Sequence, residues 1–446
     1  SGEYILRKIL TDEGRKWLSD PLRQFPVIID PTIDISNVVG SAFVATEGQW
    51  GSNQRKIAYM PNATGGAAWY AFHADGQIVR YKKCLVSSAC DADADWSANV
   101  NVDVDGDGSD SNSSIWVEGD TIWIAWGDVA IEGTSACCTA TDSLQFRSLD
   151  TTSDTFGQEC STTDQGDLVG GTVFIYIAVG DNGDVVVGYS STAGTVPADI
   201  FEWASGSTCS TGPGTGFTSI ETGSGLPTDT TTMRPVALGL GNKIHVVYDD
   251  AANEIRHSIF DVSNSTWDSA DTVADNGNVV DDIFSVTTDG SSLWLLYMDT
   301  ATTTVLQKCA SPCTTTWSNL TAPWTTGLTS ADYPNLTYFS TTNELRACIS
   351  DGGTSTTQDV VCKDSPSGSI SWGNQFAIGF TAANFNHLST VLSVTTTNAH
   401  EFALIAADVT NSTLKFATVP ENTLIFLLFT PLLPSLLRKV RRKIRI

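Results

Sequence analysis

The chain has 446 residues, 41% hydrophobic and only 17% charged, so it can bury a large core while drawing its polar surface mainly from Thr, Ser, Asn, Asp and Gly, residues of strands and turns rather than helices. It carries 24 basic against 50 acidic residues, a net charge of −26. Such a balance should repel nucleic acid and anionic lipid, whose binding needs Lys and Arg to neutralise phosphate, while tolerating divalent cations.

In chain order, residues 1–39 come first and read as a short helix followed by an extended, Pro-bounded strand, LTDEGRKWLSDPLRQFPVIIDPTI. With neither an initiator Met nor a signal peptide before SGEYILRKIL, they are expected to be the end of an upstream module and its linker, in a longer protein.

From residue 40 a repeat takes over. A short apolar strand leads through a Gly, Asn or Asp turn to a second apolar strand that ends in a small acidic step. It recurs at 65–75, 119–128, 182–191, 241–250, 289–299, 342–351 and 398–408. A second marker keeps the same phase: one aromatic in a later polar turn, at Trp50, Trp96, Phe156, Phe217, Trp267, Trp317 and Trp372, with spacings of 46, 60, 61, 50, 50 and 55. A period near fifty with two hairpins per unit predicts an all-β fold, a β-propeller of four-stranded blades over residues 40–418. Trp50 precedes the first hairpin and no aromatic follows the last. This predicts seven blades, with an N-terminal strand around 41–52 completing the last sheet and hiding its edge. Six blades is the alternative, if the weak last unit is only an appendage.

Residues 419–446 form a tail of different character. Val419-Pro420-Glu421 is followed by the apolar TLIFLLFTPLLPSLL and then by Arg438, Lys439, Arg441, Arg442, Lys443 and Arg445. The apolar run is short for a bilayer span of ~20 residues, yet its basic end has the polarity that holds a C-terminus in the cytoplasm. The arrangement resembles exosortase and archaeosortase sorting signals, with PEN where the best-known motif has PEP. The resemblance implies a prokaryotic surface protein anchored to its membrane or envelope; an ordinary tail anchor is the other reading.

The ten cysteines include close pairs, Cys84/Cys90, Cys309/Cys313 and Cys348/Cys362, without zinc-like CxxC spacing. They are expected to form disulfides in an oxidising, extracellular setting, with the pairing of Cys137, Cys138, Cys160 and Cys209 left open.

In a propeller the loops after the second strand open on the face where ligands usually bind. The acidic step places Asp75, Asp128, Asp250, Asp299, Asp351 and Asp408 there, with Ser191 in the remaining unit, and Trp126, Tyr248 and Tyr297 stand two residues earlier. Carboxylates accept sugar hydroxyls and flat rings stack on apolar sugar faces, so this set is a candidate glycan-binding rim; the plainer reading is that each Asp caps its own hairpin. In NVDVDGDGSDS, Asp103, Asp105, Asp107 and Asp110 around Gly108 resemble the first half of a calcium loop, but Ser114 stands where a bidentate Glu belongs, so calcium and a solvated acidic loop both stay open. The five histidines lack metal spacing, although His245 and His257 flank one hairpin and can face each other.

The segments NSTWDS (264–269), TTTWSN (314–319) and SISWGN (369–374) resemble the Asp-box of sialidases and related propellers with the Trp kept and the Asp and Gly lost. In that family the box is structural, so the resemblance implies a fold rather than an activity. Sialidase chemistry would need three convergent arginines, a Tyr/Glu nucleophile pair and an Asp acid. The only first-strand arginines are Arg55 and Arg234, in RKIAYMP and MRPVALG, which lack the family's Arg-Ile-Pro start. The expectation is therefore a monomeric extracellular recognition or adhesion module without catalytic residues, binding a glycan or a surface protein. A sialidase-like glycoside hydrolase and a structural spacer are the alternatives.

Overall fold

The computed structural model describes residues 33–34, 38–40, 55–74, 78–88, 90, 93–103, 110–128, 143–162, 173–191, 199–209, 216–220, 236–249, 254–268, 271–272, 284–300, 302–313, 316–328, 331–351, 359–379, 385–390, 393–394, 402–408 and 413–419. All of them belong to one compact unit, Ile33–Ile446.

The fold is an all-β propeller. Six blades each consist of four antiparallel strands that are consecutive in the chain and hydrogen-bonded in that order. Blade 1 comprises Ile57–Met60, Ala68–Ala74, Val79–Leu85 and Val100–Asn101; blade 2 comprises Asp110–Glu118, Thr121–Asp128, Ser143–Asp150 and Thr155–Phe156. Blade 3 runs through Val173–Val179, Val185–Ser191, Asp199–Trp203 and Phe217–Ser219, and blade 4 through Val236–Leu240, Lys243–Asp249, Ile255–Asp261 and Thr266–Trp267. Blade 5 has Phe284–Thr288, Leu293–Thr300, Thr303–Cys309 and Trp317–Leu320; blade 6 has Ala331–Phe339, Glu344–Asp351, Asp359–Pro366 and Phe376–Gly379.

The last repeat unit is built differently. Phe385–Thr390, Phe402–Asp408 and Thr413–Val419 form a sheet whose fourth strand is Val38–Gly40, brought from the N-terminal side. The blades of consecutive strands thus match the lower of the two expected counts, and the seven-blade reading is not carried by them. An N-terminal strand does join the last sheet, but it is 38–40; the expected segment 41–52, with Trp50, lies outside the described residues. Strand pairing also begins upstream of residue 40, because Ile33–Asp34 runs parallel to Phe376–Gly379. The sorting-like segment after Val419 lies outside the described residues, among which no helix is long and apolar enough to cross a membrane.

Each of the seven hairpins read from the sequence contributes the second strand of its sheet. The turns work as their residues require: Gly241 and Asn343 adopt φ of 64° and 56° between the first and second strands of blades 4 and 6. Second strands are apolar on both faces because both are covered. Val185, Val186 and Val187 are all fully buried, and blades 2, 3, 4 and 5 share one continuous core.

The aromatic markers join blade to blade. Trp267 donates its indole N–H to the Ile220 carbonyl at the end of blade 3, and Trp372 donates to the Thr321 carbonyl after blade 5, at 2.8 Å. Phe156 packs edge-on against Tyr81 of blade 1, Phe217 against Phe146 of blade 2, and Trp317 against His257 of blade 4, at centroid distances of 5.9, 5.5 and 5.4 Å. Trp96 of blade 1 lies 4.9 Å from Phe416 of the composite sheet. Every described marker therefore reaches the preceding sheet. Ser265 and Asp154, each two residues before its aromatic and each at φ 52°, add polar links: Ser265 donates to Glu202 at 2.9 Å, while Asp154 accepts from Tyr70 and Lys83 at 2.7 Å each.

Disulfides join Cys84–Cys90, Cys309–Cys313 and Cys348–Cys362, the three expected pairs. The last pair sits directly cross-strand in blade 6. A fourth, Cys160–Cys209, was left open by the sequence and links blade 2 to blade 3.

If the aromatic turns hold the blades together, Trp267→Ala should destabilise the protein by about 3 kcal/mol, near the lower end for a large aromatic. Trp267→Phe should cost about 1 kcal/mol, the worth of the lost hydrogen bond to Ile220. Urea unfolding midpoints at constant m-value measure both.

Candidate functional site

The candidate rim is partly in place. Asp128, Asp351 and Asp408 are the last residues of the second strands of blade 2, blade 6 and the composite sheet, and Asp299 is the penultimate residue of that strand in blade 5. The side chains of Asp299 and Asp351 are half-buried; those of Asp128 and Asp408, and the whole of Asp75 and Asp250, lie outside the described residues.

The expected stacking rings are not on the rim. Trp126 and Tyr248 are 0% exposed and Tyr297 is 5% exposed, within the cores between blades. The reason is geometric: two residues back from the strand end the chain is already between neighbouring sheets, which cover both of its faces. These three residues stabilise the ring and offer no surface to a sugar.

Of the acidic loop, Asp105 and Asp107 lie outside the described residues, as does the side chain of Asp110. Asp103 is buried; burial lowers the Arg147 guanidinium, and this is opposed first by the charge of Glu159 at 4.0 Å and then by that of Asp103. Arg147 is also held by the Val102 carbonyl at 2.6 Å and the Gly157 carbonyl at 3.2 Å, and lies 4.1 Å over the Phe156 ring. Asp103 thus has a cationic neighbour of its own at the boundary of blades 1 and 2.

At the ring centre, where the first strands meet, the structure assembles a polar group that the sequence reading did not find. Arg55, just before blade 1, donates from Nη1 to Thr390 Oγ1 at 3.2 Å and from Nη2 to Ser285 Oγ at 3.3 Å and to the Val286 carbonyl. Lys56 donates its backbone N–H to Ser389 Oγ at 3.1 Å and its Nζ to the carbonyl and Oγ of Ser113. Asn335 donates to the Leu388 carbonyl at 2.8 Å, and Thr337 and Thr390 hydroxyls are 3.0 Å apart. Blades 1, 2, 5 and 6 and the composite sheet are thereby tied together across the ring. Burial lowers Arg55 to about 10 and Lys56 to about 7. Arg55 remains charged at neutral pH, but its terminal nitrogens are committed to neutral oxygens. Arg234, the other first-strand arginine, lies outside the described residues. The available signal was the cluster of hydroxyl residues in first strands, Ser113, Ser285, Thr337 and Thr390, where an ordinary buried strand would carry Val or Ile.

The facing of His245 and His257 is realised. His245 Nδ1 and His257 Nε2 are 2.9 Å apart, and Trp317 Nε1 approaches His257 Nδ1 at 3.3 Å. The indole can only donate, so His257 accepts at Nδ1, carries its proton on Nε2 and donates it to His245 Nδ1. The chain of bonds requires both rings to be neutral. Burial pushes His245 down to about 4 and His257 well below its usual value. The sulfur of Cys313 lies within 4.8 Å of both rings, but it is bonded to Cys309 and is no thiolate ligand.

No known protein family matches the chain, and no curated protein matches its sequence. By structure it is similar to the BP39L lectin from Burkholderia pseudomallei, at TM-score 0.58 and 10% identity, covering 83% of this chain and 97% of the lectin. It also overlaps the K499G mutant of the NanB sialidase from Streptococcus pneumoniae, at TM-score 0.43 and 10% identity over 85% of this chain and 70% of that one. At these identities the likeness to the lectin establishes the propeller fold.

Because His245 is neutral when folded and takes up a proton below about 6.5 when unfolded, folding is favoured above that pH and disfavoured as pH falls toward 4. Between pH 7 and pH 5 this single group should cost about 2 kcal/mol. His245→Asn, which keeps an acceptor for His257, should reduce the slope of unfolding free energy against pH over that interval to the part contributed by His257; a profile parallel to the wild type would mean that His245 does not titrate on unfolding.

Proposed function

We propose that the chain is an extracellular carbohydrate-recognition module, binding glycans through the rim at the ends of its second strands. The observation that carries this reading is the repetition of an acidic residue at the end of a strand: Asp128, Asp351 and Asp408 end their second strands and Asp299 stands one residue before the end of its own. A ring of equivalent acceptors suits polyhydroxylated ligands with several similar groups, and weak contacts multiply when engaged together. With Trp126, Tyr248 and Tyr297 in the core, recognition falls to hydrogen bonding by the carboxylates and to loop residues beside them. The lectin of the same fold lends support, and the four disulfides accord with an oxidising compartment. Binding is favoured over hydrolysis because Arg55, the arginine best placed to clamp an acidic sugar, spends its terminal nitrogens on Thr390, Ser285 and Val286.

Finer parts of the reading follow. The composite sheet counts as a seventh blade, supported by the Trp96–Phe416 contact and by the core that blade 1, blade 6 and this sheet share. The acidic segment with Asp103, Asp105, Asp107 and Asp110 binds calcium. Residues 419–446 hold the chain at a prokaryotic cell envelope as a sorting signal or tail anchor.

Glycan-array binding by the purified protein, followed by titration of the best ligand, tests the central claim. Asp299→Ala combined with Asp351→Ala should weaken binding about a hundredfold or more, each hydrogen bond to a charged acceptor being worth roughly 1.5–3 kcal/mol. Unchanged affinity in the double variant removes the rim as the site. Release of free sugar from the bound glycan would move the chain to the hydrolase class.

A further inference from the structure

Among the described residues, the buried guanidinium at the ring centre has no counter-charge. Arg55 is 4% exposed, and all four of its hydrogen bonds go to uncharged oxygens: the carbonyl and hydroxyl of Thr390, the hydroxyl of Ser285 and the carbonyl of Val286. Its Nε–H is buried with no acceptor. A charge removed from water without a partner is among the costliest features a core can carry.

A second donor stands beside it. Ser285 Oγ accepts from Arg55 Nη2 at 3.3 Å and from the Leu336 backbone N–H at 3.1 Å. Neither group can accept in return, so the Ser285 hydroxyl proton is not used by either of them and is available to a third group. In a guanidinium, Nε–H and one Nη2–H point the same way along one edge of the plane, and Ser285 is bonded to that same Nη2. A buried N–H without an acceptor and a hydroxyl bonded to the neighbouring Nη2 therefore stand beside a permanent positive charge.

We propose that a single small monovalent anion of halide size binds here, bridging Arg55 Nε–H and Ser285 Oγ–H and acting as the counter-ion of the ring centre. The bonds already made set the class of anion. A carboxylate prefers two parallel N–H groups of the fork, and both terminal nitrogens are engaged by Thr390, Ser285 and Val286. What remains is one N–H and one O–H, a match for a single-atom acceptor. The site is separate from the rim acids and does not depend on glycan binding.

The test uses the whole protein exchanged into sodium gluconate and titrated with sodium chloride or bromide at constant ionic strength, followed by thermal unfolding. The midpoint should rise and saturate with either halide. Ser285→Ala, which leaves the bonds of Arg55 to Thr390 and Val286 available, should raise the half-saturating concentration about tenfold. Arg55→Met should abolish the response; if that variant does not fold, the Ser285→Ala titration decides. Crystals soaked in bromide should show one anomalous peak within hydrogen-bonding reach of Arg55 Nε. Equal midpoints in gluconate and chloride, an unaltered chloride response in Ser285→Ala, a bromide map empty at Arg55, or saturation by acetate in place of halide would each overturn the proposal.

Discussion

A β-sheet with two apolar faces is unstable in water until both are covered, and this protein meets that constraint by making each blade the cover of the next. The aromatic turn is where the constraint becomes specific. Apolar faces alone would let neighbouring sheets slide, because burial of area is non-directional. The indole of Trp267 aimed at Ile220, that of Trp372 at Thr321, and the edge-on contacts of Trp96, Phe156, Phe217 and Trp317 fix each blade's angle to its predecessor. The retained Trp of the Asp-box-like segments is thereby explained as an inter-blade strut, a role that requires neither the missing Asp nor the missing Gly.

The ring centre solves a different problem. First strands converge there, and a wholly apolar centre would leave the backbone groups of short or irregular strands unpaired. Side-chain hydroxyls and the Asn335 amide supply those partners: Ser285 accepts from the Leu336 N–H, Ser389 from the Lys56 N–H, and the Leu388 carbonyl accepts from Asn335. The network is polar, buried and specific, so it favours one arrangement of the blades over others of similar apolar area. Arg55 is its widest-reaching member, joining blade 1 to blade 5 and to the composite sheet.

These structural demands also shape what the molecule can offer a ligand. Residues between sheets are consumed by packing, which removes Trp126, Tyr248 and Tyr297 from any binding surface. The ends of strands escape that cover, and there the chain repeatedly places an acid. The His245–His257 pair lies on the interior side of the same divide: it is locked neutral by the donor-only indole of Trp317, and serves the contact between blades 4 and 5.

Local features were legible without coordinates because local chemistry sets them. Gly241 and Asn343 mark turns by tolerating positive φ, valine-rich runs such as 185–187 mark strands covered on both faces, and cysteines as close in sequence as Cys84 and Cys90 can pair within one local stretch of chain. The propeller class, the second strand of every sheet and three disulfides followed from that. Whatever depends on how blades are placed side by side was decided by tertiary structure: the burial of the three rim aromatics, the Cys160–Cys209 link between blades 2 and 3, the use of Val38–Gly40 as an added strand, and the meeting of Arg55 with Ser285 and Thr390, which stand 230 and 335 positions away. Periodicity reports which residues share a strand face, but it carries no information about what the next sheet lays over that face; only the closed packing of the ring supplies it.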